Sequence, residues 1–194
     1  MYSHTDRRNA PIAIVRAKQG CCRGIVAAVS AGLQVAALLT AALSCGAARA
    51  QEAVVAATDP DALFHSPNKK LDANKQVVYH IMKDLLEANH WNEADKWLTE
   101  AYHQHNPMIP SGRATVVGFF SSVAKPSPVP EHMKTKVAFV SAEGDLVTVA
   151  TVRELPDPQD PAMKYTTTWY DTWRIRGGKA DEHWDGATKA PRKN

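Results

Sequence analysis

The residue in this chain best suited to chemistry is Asp171, an acid between two tryptophans in Lys164–Arg176, a run of Thr, Trp and Tyr that reads as a long β-strand. Strand side chains alternate, so Tyr165, Thr167, Trp169, Asp171, Trp173 and Ile175 share one face. Gly177-Gly178 reads as a two-residue hairpin turn, after which Lys179–Asp185 returns as a second strand. Regular pairing across that turn sets Ile175 opposite Ala180, Trp173 opposite Glu182 and Asp171 opposite Trp184. Two carboxyls and three indoles, Asp171 and Glu182 with Trp169, Trp173 and Trp184, are then expected to line one surface. Tyr170, Thr172, Arg174, Asp181, His183 and Asp185 fall on the other, whose composition suits a solvated or paired face. Aromatic walls desolvate a carboxyl and favour its neutral form, so that it can serve as acid, base or hydrogen-bond donor. The alternative is a structural acid bonded to a tryptophan Nε1–H or to backbone.

A second polar group is Tyr102-His103-Gln104-His105-Asn106-Pro107. If the chain is extended there, His103 and His105 project to one side, Gln104 and Asn106 to the other, and one side reaches the pocket mouth. The competing reading makes Asn106-Pro107 a turn with His105 bonded to backbone. A metal held by the His-x-His pair is not expected, since no third ligand adjoins it in sequence, and no cofactor is expected. Tyr79 is an expected pocket residue on the first helix.

The elements that must position these groups follow from periodicity. Residues 51–70, Ala-rich and then polar with Pro60 and Pro67, read as a linker. Val78, Ile81, Met82, Leu85 and Leu86 recur at helical spacing, with Asp72 as the expected N-cap. Asn92 is expected to cap a short second helix carrying Ala94, Trp97, Leu98 and Ala101. A third helix runs through Val116, Val117, Phe119, Phe120 and Val123, until Pro126, Pro128 and Pro130 force an extended loop. Lys134–Ser141 and Leu146–Glu154 then form a hairpin around Glu143-Gly144-Asp145. Helices first and an antiparallel sheet afterwards make an α+β domain over 71–186, followed by a polar tail at 187–194.

The first 50 residues have another character. They hold six of the chain's 23 Lys and Arg and one of its 20 Asp and Glu, which leaves 17 bases and 19 acids, a net −2, for 51–194. The basic character therefore belongs to the leader, and the remainder lacks the basic face that nucleic-acid or anionic-membrane binding needs. A cationic stretch to Arg23, an apolar run Ile25–Leu43 and Ala48-Arg49-Ala50 make a signal peptide cleaved after Ala50, with periplasmic or secreted destination and no membrane attachment after cleavage. The alternative is a lipoprotein at Cys45. Cys21, Cys22 and Cys45 all lie in the leader, so a chain starting at Gln51 has no disulfide, thiolate or Cys-ligated zinc.

Gln104-His105-Asn106-Pro107, Gly112 with Phe119-Phe120, Glu143-Gly144-Asp145-Leu146-Val147, Asp171 with Arg174, and Glu182-His183-Trp184-Asp185 together resemble SnoaL-like polyketide cyclases of the NTF2-like superfamily. The resemblance covers roughly 71–186. It implies a cone in which a curved antiparallel sheet wraps helices around an apolar pocket, and a homodimer through the sheet. It also places His105 and Asn106 in the block that adds polar groups to the cavity. Ketosteroid isomerases share the superfamily: alongside them Asp171 resembles the sheet aspartate, but Asn106, which takes no proton, falls at the base position and Met82 near the tyrosine. Val149-Ala150-Thr151-Val152 lacks the strand histidine frequent in SnoaL-like relatives. Two function classes follow. One is a cofactor-independent enzyme doing aldol-type or enolising acid/base chemistry on a small carbonyl compound, with Asp171, His105 and Asn106 as catalytic residues. The other is a periplasmic small-molecule-binding or accessory module without catalysis.

Overall fold

A computed structural model describes residues 52–189. The expected leader, its cleavage point and Cys45 lie outside the described residues. Among those residues no helix is long and apolar enough to cross a membrane.

Helix α1 (Lys69–His80) starts at Asn68, whose side chain accepts from the N–H groups of Lys70 and Leu71. Asp72, the expected cap, lies in the first turn and instead accepts from the N–H of Ser66. The helix widens into a π-helical stretch, Ile81–Glu87, where the N–H of Ala88 reaches five residues back to the Lys83 carbonyl at 3.1 Å. Val78, Ile81, Met82 and Leu85 of the apolar stripe are buried together with Val77, whereas Leu86 is exposed.

The second helix is much shorter than expected. A 3₁₀ turn at Trp91–Glu93 leads into α2 (Ala94–Trp97), and Leu98 and Ala101 belong to strand β1 (Leu98–Gln104). Helix α3 (Arg113–Val123) follows as expected. Strands β2 (Val137–Glu143), β3 (Leu146–Pro156), β4 (Lys164–Arg176) and β5 (Lys179–Asp185) complete a curved five-stranded sheet ordered β1-β5-β4-β3-β2. The α+β class holds, with one change: edge strand β1 pairs parallel to β5, so the sheet is not purely antiparallel.

Residues 52–68 are not a linker. The N–H of Val54 donates to Thr166 Oγ1 at 2.7 Å, that of Ala57 to the Val137 carbonyl at 2.8 Å, and Phe64 is fully buried against Tyr79. Lys75 and Gln76 on α1 donate to the carbonyls of Leu63 and Phe64. Phe64, with Leu63 beside it, thus closes one side of the core.

The decisive detail lies between β4 and β5. Gly177 and Gly178, at φ 56° and 75°, make the expected two-residue turn, and Ile175 does face Ala180. The register then shifts, pairing Arg174 with Glu182, Trp173 with His183 and Asp171 with Asp185. Asp181 is the extra residue of a β-bulge. Its carboxylate accepts from Thr99 Oγ1 at 2.8 Å, where β1 also loses register, and forms a 3.3 Å ion pair with Arg176. One inserted residue reverses the alternation for the rest of the strand.

Candidate active site

The concave side of the sheet, the start of the π-helical stretch and α3 enclose a cavity of about 570 Å³. Ile81, Leu98, Ile109, Val116, Phe119 and Phe120 supply apolar wall. Polar groups come from β1 and the turn after it (Tyr102, Gln104, Asn106), from β3 (Arg153), from β4 (Asp171) and from β5 (His183, Asp185). Trp169 and Trp173 flank Asp171 on this face, as strand alternation requires.

Because of the bulge, the partners of Asp171 are not those expected. Glu182 and Trp184 turn outward, while His183 and Asp185 turn into the cavity. His183 is only 7% exposed. Its Nε2 lies 3.2 Å from Asp171 Oδ1, and its Nδ1 lies 2.7 Å from Gln104 Oε1. That oxygen also accepts from the N–H of Asn106 at 3.2 Å, which identifies it as the carbonyl end of the amide. The proton of His183 is therefore fixed on Nδ1, and Nε2 and Asp171 share whichever further proton the pair holds. Trp169 Nε1–H donates to the same Asp171 Oδ1 at 3.2 Å. Asp171 is thus both an acid with a proton-sharing partner and, as the alternative reading has it, an acceptor for a tryptophan N–H.

Tyr102 lines the same cavity. Trp173 Nε1–H donates to its hydroxyl oxygen at 3.1 Å, and both residues are buried. Burial pushes the phenol well above its ordinary pKa, with the Trp173 bond opposing in part, so Tyr102 stays a protonated donor. Asn106 lines the cavity as expected but is committed: its Nδ2 donates to Asp185 Oδ2 at 2.7 Å, and its Oδ1 accepts from the N–H of Met108 at 2.9 Å. The other Asp185 oxygen accepts from the N–H of Ala187 at 2.9 Å, which brings the start of the expected polar tail to the cavity wall.

His105 is not in the site. It lies on the outer face, half exposed, with its ring stacked on Trp184 at 5.1 Å and its Nε2 2.8 Å from Glu182 Oε1. Arg174 Nε donates to the other Glu182 oxygen at 2.9 Å and also bonds Asp145. The hydrogen bond from His105, helped by Arg174, holds the Glu182 carboxyl below its usual range. Tyr79 lies elsewhere too, with its ring against Phe64 and its hydroxyl accepting from Lys83 Nζ at 2.9 Å. His103 is exposed. The parity read for His103 to Asn106 was sound: Gln104 and Asn106 take the inner side, the histidines the outer one.

Asp171, His183 and Asp185 carry ligand atoms within 4.8 Å of one another and are the residues here that could hold a cation. A cation there would take the place of a proton between Nε2 and Asp171, and the Nδ1 bond to Gln104 orients the ring for either.

Comparison with known proteins follows this geometry. The family model of the SnoaL-like domain matches residues 78–183. Among curated proteins none matches. Similar solved structures include a polyketide cyclase candidate from Bacillus cereus, at 16% identity and TM-score 0.44 over 69% of this chain and 84% of that one. An NTF2-like protein from Anabaena variabilis aligns at 17% identity and TM-score 0.43 over 64% and 94%. An epoxide hydrolase from M. tuberculosis aligns at 11% identity and TM-score 0.42 over 58% and 80%.

Proposed function

For a chain that belongs to the SnoaL-like domain family, we propose a cofactor-independent acid/base enzyme that enolises a small carbonyl compound or closes a ring on it by aldol-type chemistry. The observation that carries this reading is the 3.2 Å pair of Asp171 and His183 on the wall of an apolar cavity, with the histidine tautomer fixed by Gln104. Asp171 removes a proton from the carbon beside the carbonyl. The C–H electron pair becomes the new C=C bond as the carbonyl π pair moves onto oxygen, and the Tyr102 hydroxyl donates to that oxyanion. The enolate then regains a proton at carbon, or attacks a second carbonyl whose oxygen takes the proton now held by the Asp171–His183 pair. An apolar wall strengthens each of these electrostatic contacts by excluding water.

A binding module is the second reading, and one observation favours it. Asp171 Oδ1 already serves Trp169 and His183, and Asn106 serves Asp185, a pattern that a purely structural network would also show. Deuterium exchange separates the two. Wild-type protein in D₂O with aryl-alkyl ketones and β-keto esters should label the carbon beside the carbonyl faster than buffer does, and Asp171→Asn and His183→Gln should lose that rate. Labelling no faster than buffer across the panel would leave the module.

A further inference from the structure

Strand β3 presents Val147, Val149, Thr151 and Arg153 on one side, the side on which Val147 and Val149 are buried in the core. Arg153 thus places a guanidinium on the concave face, in a row otherwise apolar or small, and it lines the cavity. Its Cζ lies 3.8 Å from the centre of the Trp169 ring, and no carboxylate among the described residues forms an ion pair with it. Stacking on an indole face holds a guanidinium flat while leaving its N–H edge free. Trp169 meanwhile donates through Nε1 to Asp171, so one indole carries the cation on its face and Asp171 at its N–H edge.

We propose that Arg153 is a carboxylate-binding subsite, and that the cavity takes a small organic anion whose carboxylate sits on Arg153 while its apolar body runs inward past Asp171. This rests on the Asp171 reading only for what happens to the ligand, not for how it is held. The charges are compatible. Asp185 is answered by the Asn106 amide and the Ala187 N–H, and Asp171 has His183, which leaves Arg153 as the uncommitted charge of the cavity. A planar fork that receives both oxygens of a carboxylate gives orientation as well as affinity. The ring of Trp169 borders the fork, and Phe119 and Phe120 offer the apolar partner for the rest of the molecule.

The experiment compares 4-phenyl-2-oxobutanoate with its methyl ester, read as quenching of tryptophan fluorescence and by titration calorimetry. Wild-type protein should bind the acid about tenfold to a hundredfold more tightly than the ester. Arg153→Gln should abolish that preference while leaving the ester unaffected, and Arg153→Lys should restore only part of it, because an ammonium lacks the planar fork. Asp171→Asn should keep the preference in full even where deuterium exchange is lost, so failure of the catalytic reading and failure of this subsite give different results. An acid that binds no more tightly than its ester, or a preference that survives in a folded Arg153→Gln protein, overturns the proposal. If Arg153→Gln does not fold, a full preference in Arg153→Lys does so equally.

Discussion

Replacing Asp171 with Asn tests the proton-sharing pair, because the structure predicts a cost in stability as well as in rate. Two groups converge on Asp171 Oδ1, Trp169 Nε1–H and His183 Nε2, each at 3.2 Å. The Gln104 amide keeps the His183 proton on Nδ1, so a neutral His183 offers a lone pair at Nε2. In wild type any proton held by the pair lies between that lone pair and Asp171 Oδ1. An asparagine cannot serve both partners: its oxygen accepts from Trp169 but faces the His183 lone pair, and its NH₂ serves His183 but faces the Trp169 N–H. One hydrogen bond is lost in a largely buried place, which costs about 1–3 kcal/mol, or roughly 5 °C of melting temperature in a domain of this size. Deuterium exchange should fall about a hundredfold or more, since the proton carrier is gone while cavity shape is kept. The assay pairs thermal unfolding with exchange at the carbonyl-adjacent carbon on the same preparations. A wild-type exchange rate in Asp171→Asn would show that Asp171 carries no proton. An unchanged melting temperature would refute the fixed tautomer of His183.

Tyr102→Phe leaves the Trp173 N–H buried without an acceptor and removes the proposed oxyanion donor; it should lower stability by about 1–3 kcal/mol and exchange by about a hundredfold, and an unaltered rate in a destabilised protein would confine Tyr102 to a structural role. Glu182 has a folded pKa held below its ordinary 4.5 by His105 and Arg174, so its contribution is present above that value and fades as pH falls through the lower folded one. The melting-temperature difference between wild type and Glu182→Gln should therefore shrink from about pH 6 to about pH 3, corresponding to less than about 1 kcal/mol at its largest, with ligand binding unaffected; a difference that grows on acidification would contradict the ion pair. For the leader we propose export with cleavage after Ala50. N-terminal sequencing of protein recovered from the periplasm should begin at Gln51, and a lipidated Cys45 or an intact leader would refute this.

Much of the sheet was legible because its signals are local. The bounds expected for β4 and β5 are those observed, since period-two alternation and a Gly-Gly pair with positive φ depend only on neighbouring residues. The same locality placed Trp169, Asp171 and Trp173 on the cavity face, and set Gln104 and Asn106 opposite the two histidines. Arg153 carries a local signal as well, a charge continuing the parity of Val147 and Val149. Strand β1 was misread because Ala94, Trp97, Leu98 and Ala101 fit helical spacing, and what extends the chain from Leu98 is the free edge of β5, more than 80 residues away. The Asp181 bulge was invisible for the same reason. It is held by Thr99 on the neighbouring strand, and nothing between Gly178 and Asp185 indicates an extra residue. The sequence by itself determined strands β2 to β5, the family resemblance and the central acid. Tertiary structure decided the partner of that acid, because one residue inserted at the contact of two distant strands turns His183 and Asp185 inward and Glu182 and Trp184 outward, and that choice separates a proton-sharing pair from a surface ion pair.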